Sequence, residues 1–355
     1  MDFTQPVSTG RHQLPMTRTG FGCAPIGNSS VAVSDEAARS TLEAAWDAGI
    51  RYFDTAPWYG IGLSEHRLGS FLRGKARDDF VISTKVGRLL RPWTTPQYER
   101  RHRGSWTCPP DFEVRFDYSY DGVVRSWEDS LQRLGLGRVE LLLIHDLDRA
   151  YFSHGADYDA YLAQLITGGY EALRDLRADG KISAIGCGVN KPGQIPQFLD
   201  LFDLDFFLVA GPYTLLEQTT LDNELERCRQ SGVSLVIGGA LGFGVLATGT
   251  KAGAASGPTM LGEDELARLK RIEQVCDELE VPLAAVAMQF PYGHPAVRSV
   301  LFGAVDGDQV RQNVEHLRRR VPTELWERLR AEGLVAASAP LPPSKCYKTP
   351  VSGRW

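Results

Sequence analysis

The feature that most constrains this chain is an alternation: continuous apolar runs of strand length take turns with segments of helical period. Phe80-Val81-Ile82 leads into Ser83-Thr84-Lys85, and Val139 to His145 is nearly all aliphatic. Ile182 to Val189, Phe206 to Val209, Val233 to Ile237 and Ser299 to Phe302 follow. Ile50 to Phe53 and a weaker run near Phe21 to Ala24 bring the strand candidates to eight. Runs without polar alternation mark strands buried on both faces, as in parallel sheets. Between them, Val123, Trp127, Leu131 and Leu134 share one helix face that ends at Gly135. Ser34 with Asp35 and Glu36 starts another helix, and Gly49 stops it. Leu221, Leu225 and Cys228 line a third, closed by Gly232. Eight strand-helix units joined by right-handed crossovers predict a closed (β/α)8 barrel, one domain over residues 1–355. The irregular stretch 87–118, rich in Arg, Trp and Pro, reads as a functional loop at a strand end. The Pro-rich tail 339–355 reads as surface chain.

Composition narrows the function classes. A net charge of -5 with only short basic pieces, such as Arg318-Arg319-Arg320, argues against a nucleic-acid partner. The six cysteines form no C-x-x-C pair and have no His at metal-ligand spacing, so no metal site is expected. They read as reduced thiols of a cytoplasmic protein. Met1 to Thr9 has neither the basic start nor the apolar run of a signal peptide. No stretch approaches the roughly 18 apolar residues of a membrane span. The oligomeric state is left open.

In a barrel of this kind the chemistry sits at the C-terminal ends of the strands. Asp54 ends the second apolar run and Tyr59 follows five residues later. Lys85 ends the third run, His145 the fourth, and Asn190 lies just past the fifth. Singly, each has an ordinary explanation: a turn-capping Asp, a packing Tyr, a solvated Lys, a core His. Together they place polar groups at four consecutive strand ends, Asp54, Lys85, His145 and Asn190, converging on one point. A tyrosine hydroxyl titrates near pH 10, about three units too high for easy proton exchange at neutrality, and an adjacent ammonium lowers it. Asp54 would hold Lys85 in place, and His145 would orient a substrate oxygen. That is general acid/base equipment for interconverting a carbonyl and an alcohol.

Asp54-Thr55-Ala56-x-x-Tyr59-Gly60, Ser83-Thr84-Lys85-Val86 and Leu142-Leu143-Ile144-His145 resemble the aldo-keto reductase superfamily from about Phe21 to Asn313. The resemblance implies a barrel that binds NAD(P)(H) without a Rossmann fold, and a tetrad of Asp54, Tyr59, Lys85 and His145. Residues 44–54, Gly62-Leu63-Ser64-Glu65, Ile144-His145-Asp146-Leu147-Asp148 and 210–216 are similar to the D-threo-aldose 1-dehydrogenase and L-fucose dehydrogenase branch. Pyridoxal 4-dehydrogenases and L-galactose dehydrogenases look similar too. By resemblance, Asn190 grips the nicotinamide carboxamide and Tyr213 stacks on the ring, although Val189 and Ala210 replace a usual Ser and Gln. Leu241-Gly242-Phe243-Gly244 matches a loop over the pyrophosphate. Gly303, Gln309 and Asn313 fall at the adenosine end, where NADP-using members carry Lys and Arg, so NAD is expected over NADP.

Trp58, Trp93 and Trp106, with Arg88, Arg91, Tyr98, Arg101 and His102 of the 87–118 loop, are expected to receive a small polyhydroxylated substrate. These residues predict an NAD-dependent oxidation of the C1 hydroxyl of a cyclic aldose to a lactone. A pyridoxal 4-dehydrogenase or general carbonyl reductase is the enzymatic alternative, and a nicotinamide-binding regulatory subunit is the non-enzymatic one. A metal-dependent hydrolase would need clustered His and carboxylates, and only His145 fits.

Overall fold

The computed structural model describes residues 2–9, 14–29, 31–93, 106–152, 154–250 and 261–343. Eight parallel strands close on themselves in sequence order: β1 (Thr19–Gly22), β2 (Tyr52–Asp54), β3 (Val81–Val86), β4 (Leu141–His145), β5 (Ala184–Val189), β6 (Phe206–Ala210), β7 (Ser234–Gly238) and β8 (Val297–Phe302). The closure is made by Val300, Leu301 and Phe302 of β8 against Thr19, Gly20 and Phe21 of β1. The strands alternate inside and outside, so two cores form. Tyr52, Val81, Leu141, Leu143, Phe206, Leu208, Val236 and Leu301 fill the barrel. The opposite faces, among them Phe53, Ile82, Leu142, Ile185 and Phe207, pack against the helices outside.

The barrel is too narrow for a side chain at every inward position. A Cβ on Gly20 would stand 2.5 Å from Leu301 and 2.6 Å from Tyr52, and one on Gly186 would stand 2.5 Å from the Phe206 ring. Large and small residues therefore trade places across the interior. Met16, from an antiparallel hairpin of Pro6–Thr9 and Leu14–Thr17, joins this inner cluster beside the start of β1.

The helices begin and end where side chains dictate. In α1 (Asp35–Asp47) Ser34 accepts from the Ala37 N–H, and Gly49 follows with φ 93°. In α2 (Leu63–Leu72) the glycine before the first residue, Gly62, is left-handed. In α3 (Tyr120–Leu134) Ser119 accepts from Gly122 and Gly135 ends the helix with φ 62°. The segment at Leu221 opens as a π-turn before continuing as a short α-helix, Glu226–Gln230, and Gly232 follows at φ 70°.

Two expectations are corrected. The first strand starts at Thr19, because Cys23 and Ala24 already turn toward the 3-10 helix Pro25–Gly27. The 87–118 stretch is not wholly irregular: Arg88–Pro92 pairs antiparallel with Phe112–Phe116, a hairpin standing on the end of β3. Of the tail, residues up to 343 are described, and Ala339 is buried, its carbonyl accepting from Arg330.

Candidate active site

The inward alternation that fills the barrel with apolar groups ends in polar ones. Above Tyr52 comes Asp54, above Val81 come Ser83 and Lys85, and above Leu143 comes His145. The structure brings these together. Lys85 Nζ donates to both Asp54 oxygens at 3.0 and 2.8 Å, to the Thr55 carbonyl at 2.8 Å and to the Tyr59 hydroxyl at 3.0 Å. Ser83 Oγ donates to Asp54 Oδ1 at 2.6 Å and is itself 3.0 Å from the Tyr52 hydroxyl. With Lys85 donating to it, the Tyr59 oxygen keeps its own proton free for another acceptor. The His145 ring stands edge-on to Tyr59, centroids 5.9 Å apart. Tyr118 donates to the His145 carbonyl at 2.6 Å. Gly87 makes room for Tyr118, since a Cβ there would lie 2.1 Å from that ring.

The electrostatics follow from burial. Burial disfavours the Lys85 charge, but Asp54 and the Tyr59 oxygen more than offset it and hold the ammonium well above its usual value. Burial pushes Tyr59 up to about 12; Lys85 pulls it down and Asp54 up. The expected depression of the tyrosine is thus overridden by desolvation in the protein by itself. Burial, with Arg88 and Lys85 nearby, holds His145 well below its normal range, so the ring is neutral. His145 Nε2 lies 3.3 Å from Asp146 Oδ2 without a hydrogen bond between them, so an Nε2–H there is available to a substrate oxygen. Nδ1 is buried without a partner among the described residues.

Asp146 and Arg88 complete a cluster that sequence reasoning did not assemble. Arg88 opens the hairpin and is only 1% exposed; its Nη2 donates to Asp146 Oδ2 at 3.0 Å. Its guanidinium carbon lies 5.1 Å from the Trp58 ring centre and 4.6 Å from that of Tyr151. Asp146 is left-handed, φ 43°, and Oδ1 accepts from Asn190 Nδ2 at 2.7 Å. The only sequence signals were an Asp directly after a strand-end His and an Arg after Gly87; neither reveals a pairing made in three dimensions.

The expected substrate wall forms in part. Trp58 and Trp106 meet edge to face at 5.9 Å, and Trp106 lies 5.9 Å from Tyr59. The Trp106 indole N–H is buried without a partner among the described residues. Trp93 follows the hairpin strand Arg88–Pro92 and is half-buried. Tyr98, Arg101 and His102 lie outside the described residues.

The expected nicotinamide residues divide. The Asn190 amide nitrogen is held by Asp146, and its oxygen has no partner among the described residues, so it remains an acceptor for a carboxamide N–H. Tyr213 does not meet its expectation. It is fully buried, with Phe290 at 5.5 Å and His294 at 6.0 Å between ring centres, so neither face is open for stacking. The rim at β6 and β7 instead carries Gly211, Gly239, Gly242 and Gly244, all left-handed, and Phe243 at φ 53°. The Phe243 ring is 70% exposed beside Gly211 and Gly239, after Leu241. Past β8, a Cβ on Gly303 would stand 2.6 Å from Pro25, so no longer residue fits there. Helix α4 (Gly307–Arg318) begins with a reciprocal cap: Asp306 accepts from the Gln309 N–H at 2.8 Å and Gln309 accepts from the Val305 N–H at 3.1 Å. Asn313 lies one turn on, half-buried, and Arg311 is paired with Asp308. Asn190 and the glycine rim thus stay accessible at the strand ends, whereas Tyr213 is buried. Among the described residues no group of His, Cys, Asp and Glu is arranged to hold a metal, and no helix is long and apolar enough to cross a membrane.

Comparison with known proteins agrees with this geometry. The model of the Aldo/keto reductase family matches residues 18–332. A pyridoxal 4-dehydrogenase from Microbacterium luteolum is 42% identical, over 92% of this chain and 97% of its own. A D-threo-aldose 1-dehydrogenase from Pseudomonas sp is 40% identical, over 94% of this chain and 99% of its own. Among solved structures, a glycerol dehydrogenase from Gluconobacter oxydans superposes with a TM-score of 0.71 at 21% identity, covering 98% of this chain and 99% of its own, which speaks to the fold.

Proposed function

The chain belongs to the Aldo/keto reductase family, an oxidoreductase barrel, and from that premise we propose that it oxidises the C1 hydroxyl of a cyclic aldose to a lactone, with NAD as hydride acceptor. The observation that carries the reading is the buried Asp54–Lys85–Tyr59 chain facing a neutral His145. Bound nicotinamide supplies the acceptor for the hydride leaving C1. The chain's part is the proton. Tyr59 as tyrosinate, the form that Lys85 stabilises, takes the hydroxyl proton as the carbonyl forms; Asp54 fixes Lys85, and the His145 Nε2–H holds the reacting oxygen.

The sugar assignment rests on the mouth: indole faces of Trp58 and Trp106 for C–H surfaces, and Asp146, held by Arg88, with the Trp106 N–H for hydroxyls. The pyridoxal 4-dehydrogenase relative supports a second reading, since an aromatic aldehyde hemiacetal would use the same walls. The deciding experiment follows 340 nm absorbance with NAD and a panel of L-fucose, D-arabinose, L-galactose and pyridoxal. Growth with the sugars is expected. Growth with pyridoxal alone transfers the assignment to the second reading.

A further inference from the structure

One carboxylate at the mouth has no part in the proton chain. Asp146 lies where β4 ends, directly after His145, in a left-handed backbone that costs energy for any residue but Gly and least for Asn or Asp. That turn tips its side chain over the barrel axis: a Cβ on Gly188 would stand 3.7 Å from Asp146 Oδ1 and 4.0 Å from Lys85 Cε. The carboxylate is pinned from two sides, by Asn190 Nδ2 on Oδ1 at 2.7 Å and by Arg88 Nη2 on Oδ2 at 3.0 Å. His145 Nε2 is 3.3 Å from Oδ2. A carboxylate offers about four lone-pair positions, and the two donors, Asn190 and Arg88, leave others unfilled. The side chain keeps 15% of its surface open, while Arg88 behind it is sealed.

We propose that Asp146 is a specificity-determining residue that accepts a hydrogen bond from the hydroxyl on the carbon next to the reacting one. This rests on the aldose reading above. In a vicinal diol the two oxygens sit about one hydrogen-bond length apart. A reacting oxygen held by the His145 Nε2–H therefore puts its neighbour within reach of Asp146 Oδ2, which lies beside that same nitrogen. Arg88 and Asn190 fix the acceptor beforehand, so little ordering remains at binding. A largely buried acceptor of this kind penalises an analogue lacking the hydroxyl, because one of its lone pairs is cut off from water with no donor in its place.

The test compares kcat/KM for the best aldose of the panel with that for its 2-deoxy counterpart, in the wild type and in two variants. Asp146→Asn suits the left-handed backbone and removes the charge; Asp146→Glu keeps a charge opposite Arg88 but displaces it. The wild type is expected to favour the 2-hydroxy sugar by about tenfold or more, and the ratio to fall toward one in both variants. General damage to the fold lowers both substrates together and leaves the ratio intact, so it cannot mimic this outcome. A wild-type ratio near one overturns the role without any variant, and so does a ratio that survives both substitutions. A variant that turns over both sugars faster also overturns it, because Asp146 would then only be occupying His145. If no sugar reduces NAD, the aldose reading falls and this role with it; if sugars react but the ratio behaves otherwise, only the role of Asp146 falls.

Discussion

At the level of single residues, Tyr59 is where burial and charge oppose each other most directly. Tyr59→Phe is expected to lower kcat by about 10²-fold or more, within the range for general acid/base catalysis, while NAD affinity changes little. Near-normal turnover, measured at saturating sugar and NAD, would remove Tyr59 from the proton path. The direction of its shift also sets a pH profile. A hydroxyl held up to about 12 is protonated at neutrality, so the proton-accepting form grows with pH. Oxidation, read as kcat/KM, should climb by about tenfold per unit from neutral into the alkaline range, and reduction should not. His145, already neutral, adds no step near pH 6.5. Lys85→Met removes the one charge that pulls Tyr59 down, and should move the oxidation profile further toward alkali. An unmoved profile would mean that the ammonium does not tune the hydroxyl.

Whole elements divide into those that sequence patterns reveal and those they hide. Seven of the barrel strands were legible because strands buried on both faces carry unbroken apolar runs, and polar residues that interrupt those runs at the top had to point inward together; the first, Thr19–Gly22, carries no such run and was placed two residues late. The hairpin Arg88–Pro92 with Phe112–Phe116 was not, since Glu113 and Arg115 break any run and the pairing spans a long excursion. The place of Tyr213 was expected from resemblance alone, and no sequence pattern shows its packing against Phe290. The hairpin is anchored by Arg88, and Arg88→Ala leaves Asp146 without its buried counter-charge. Unfolding in urea should show a loss of about 3–5 kcal/mol, and a loss under about 1 kcal/mol would make the pair a surface-like one. At the β8–α4 junction, Gly303 excludes a lysine and Gln309 is occupied in the helix cap. Each charge-assisted hydrogen bond that a 2′-phosphate would need there is worth roughly 1.5–3 kcal/mol. NAD should therefore exceed NADP in kcat/KM by at least about tenfold, and equal values would contradict the assignment.

Across the whole molecule, an apolar plug supports a polar layer, and the two can be perturbed separately. Gly186→Ala drives a methyl into the Phe206 ring from below the site. It should cost roughly 1–3 kcal/mol of stability by overpacking, while kcat per folded molecule stays within a factor of about two. A large fall in kcat at unchanged stability would show that plug and active layer are coupled. The closure of the barrel has a consequence for its making. Val300 pairs with Thr19, so the first strand meets its last neighbour only after the other seven strands have been made. On a ribosome adding about 5–20 residues per second, the free edge of β1 waits for tens of seconds or less after it emerges. Asp54, Lys85 and His145 lie on the three strands made next after β1, while that edge is still open. The nascent chain thus holds its three tetrad strands before it holds a barrel, and an unpaired strand edge through that interval invites pairing with a neighbouring chain.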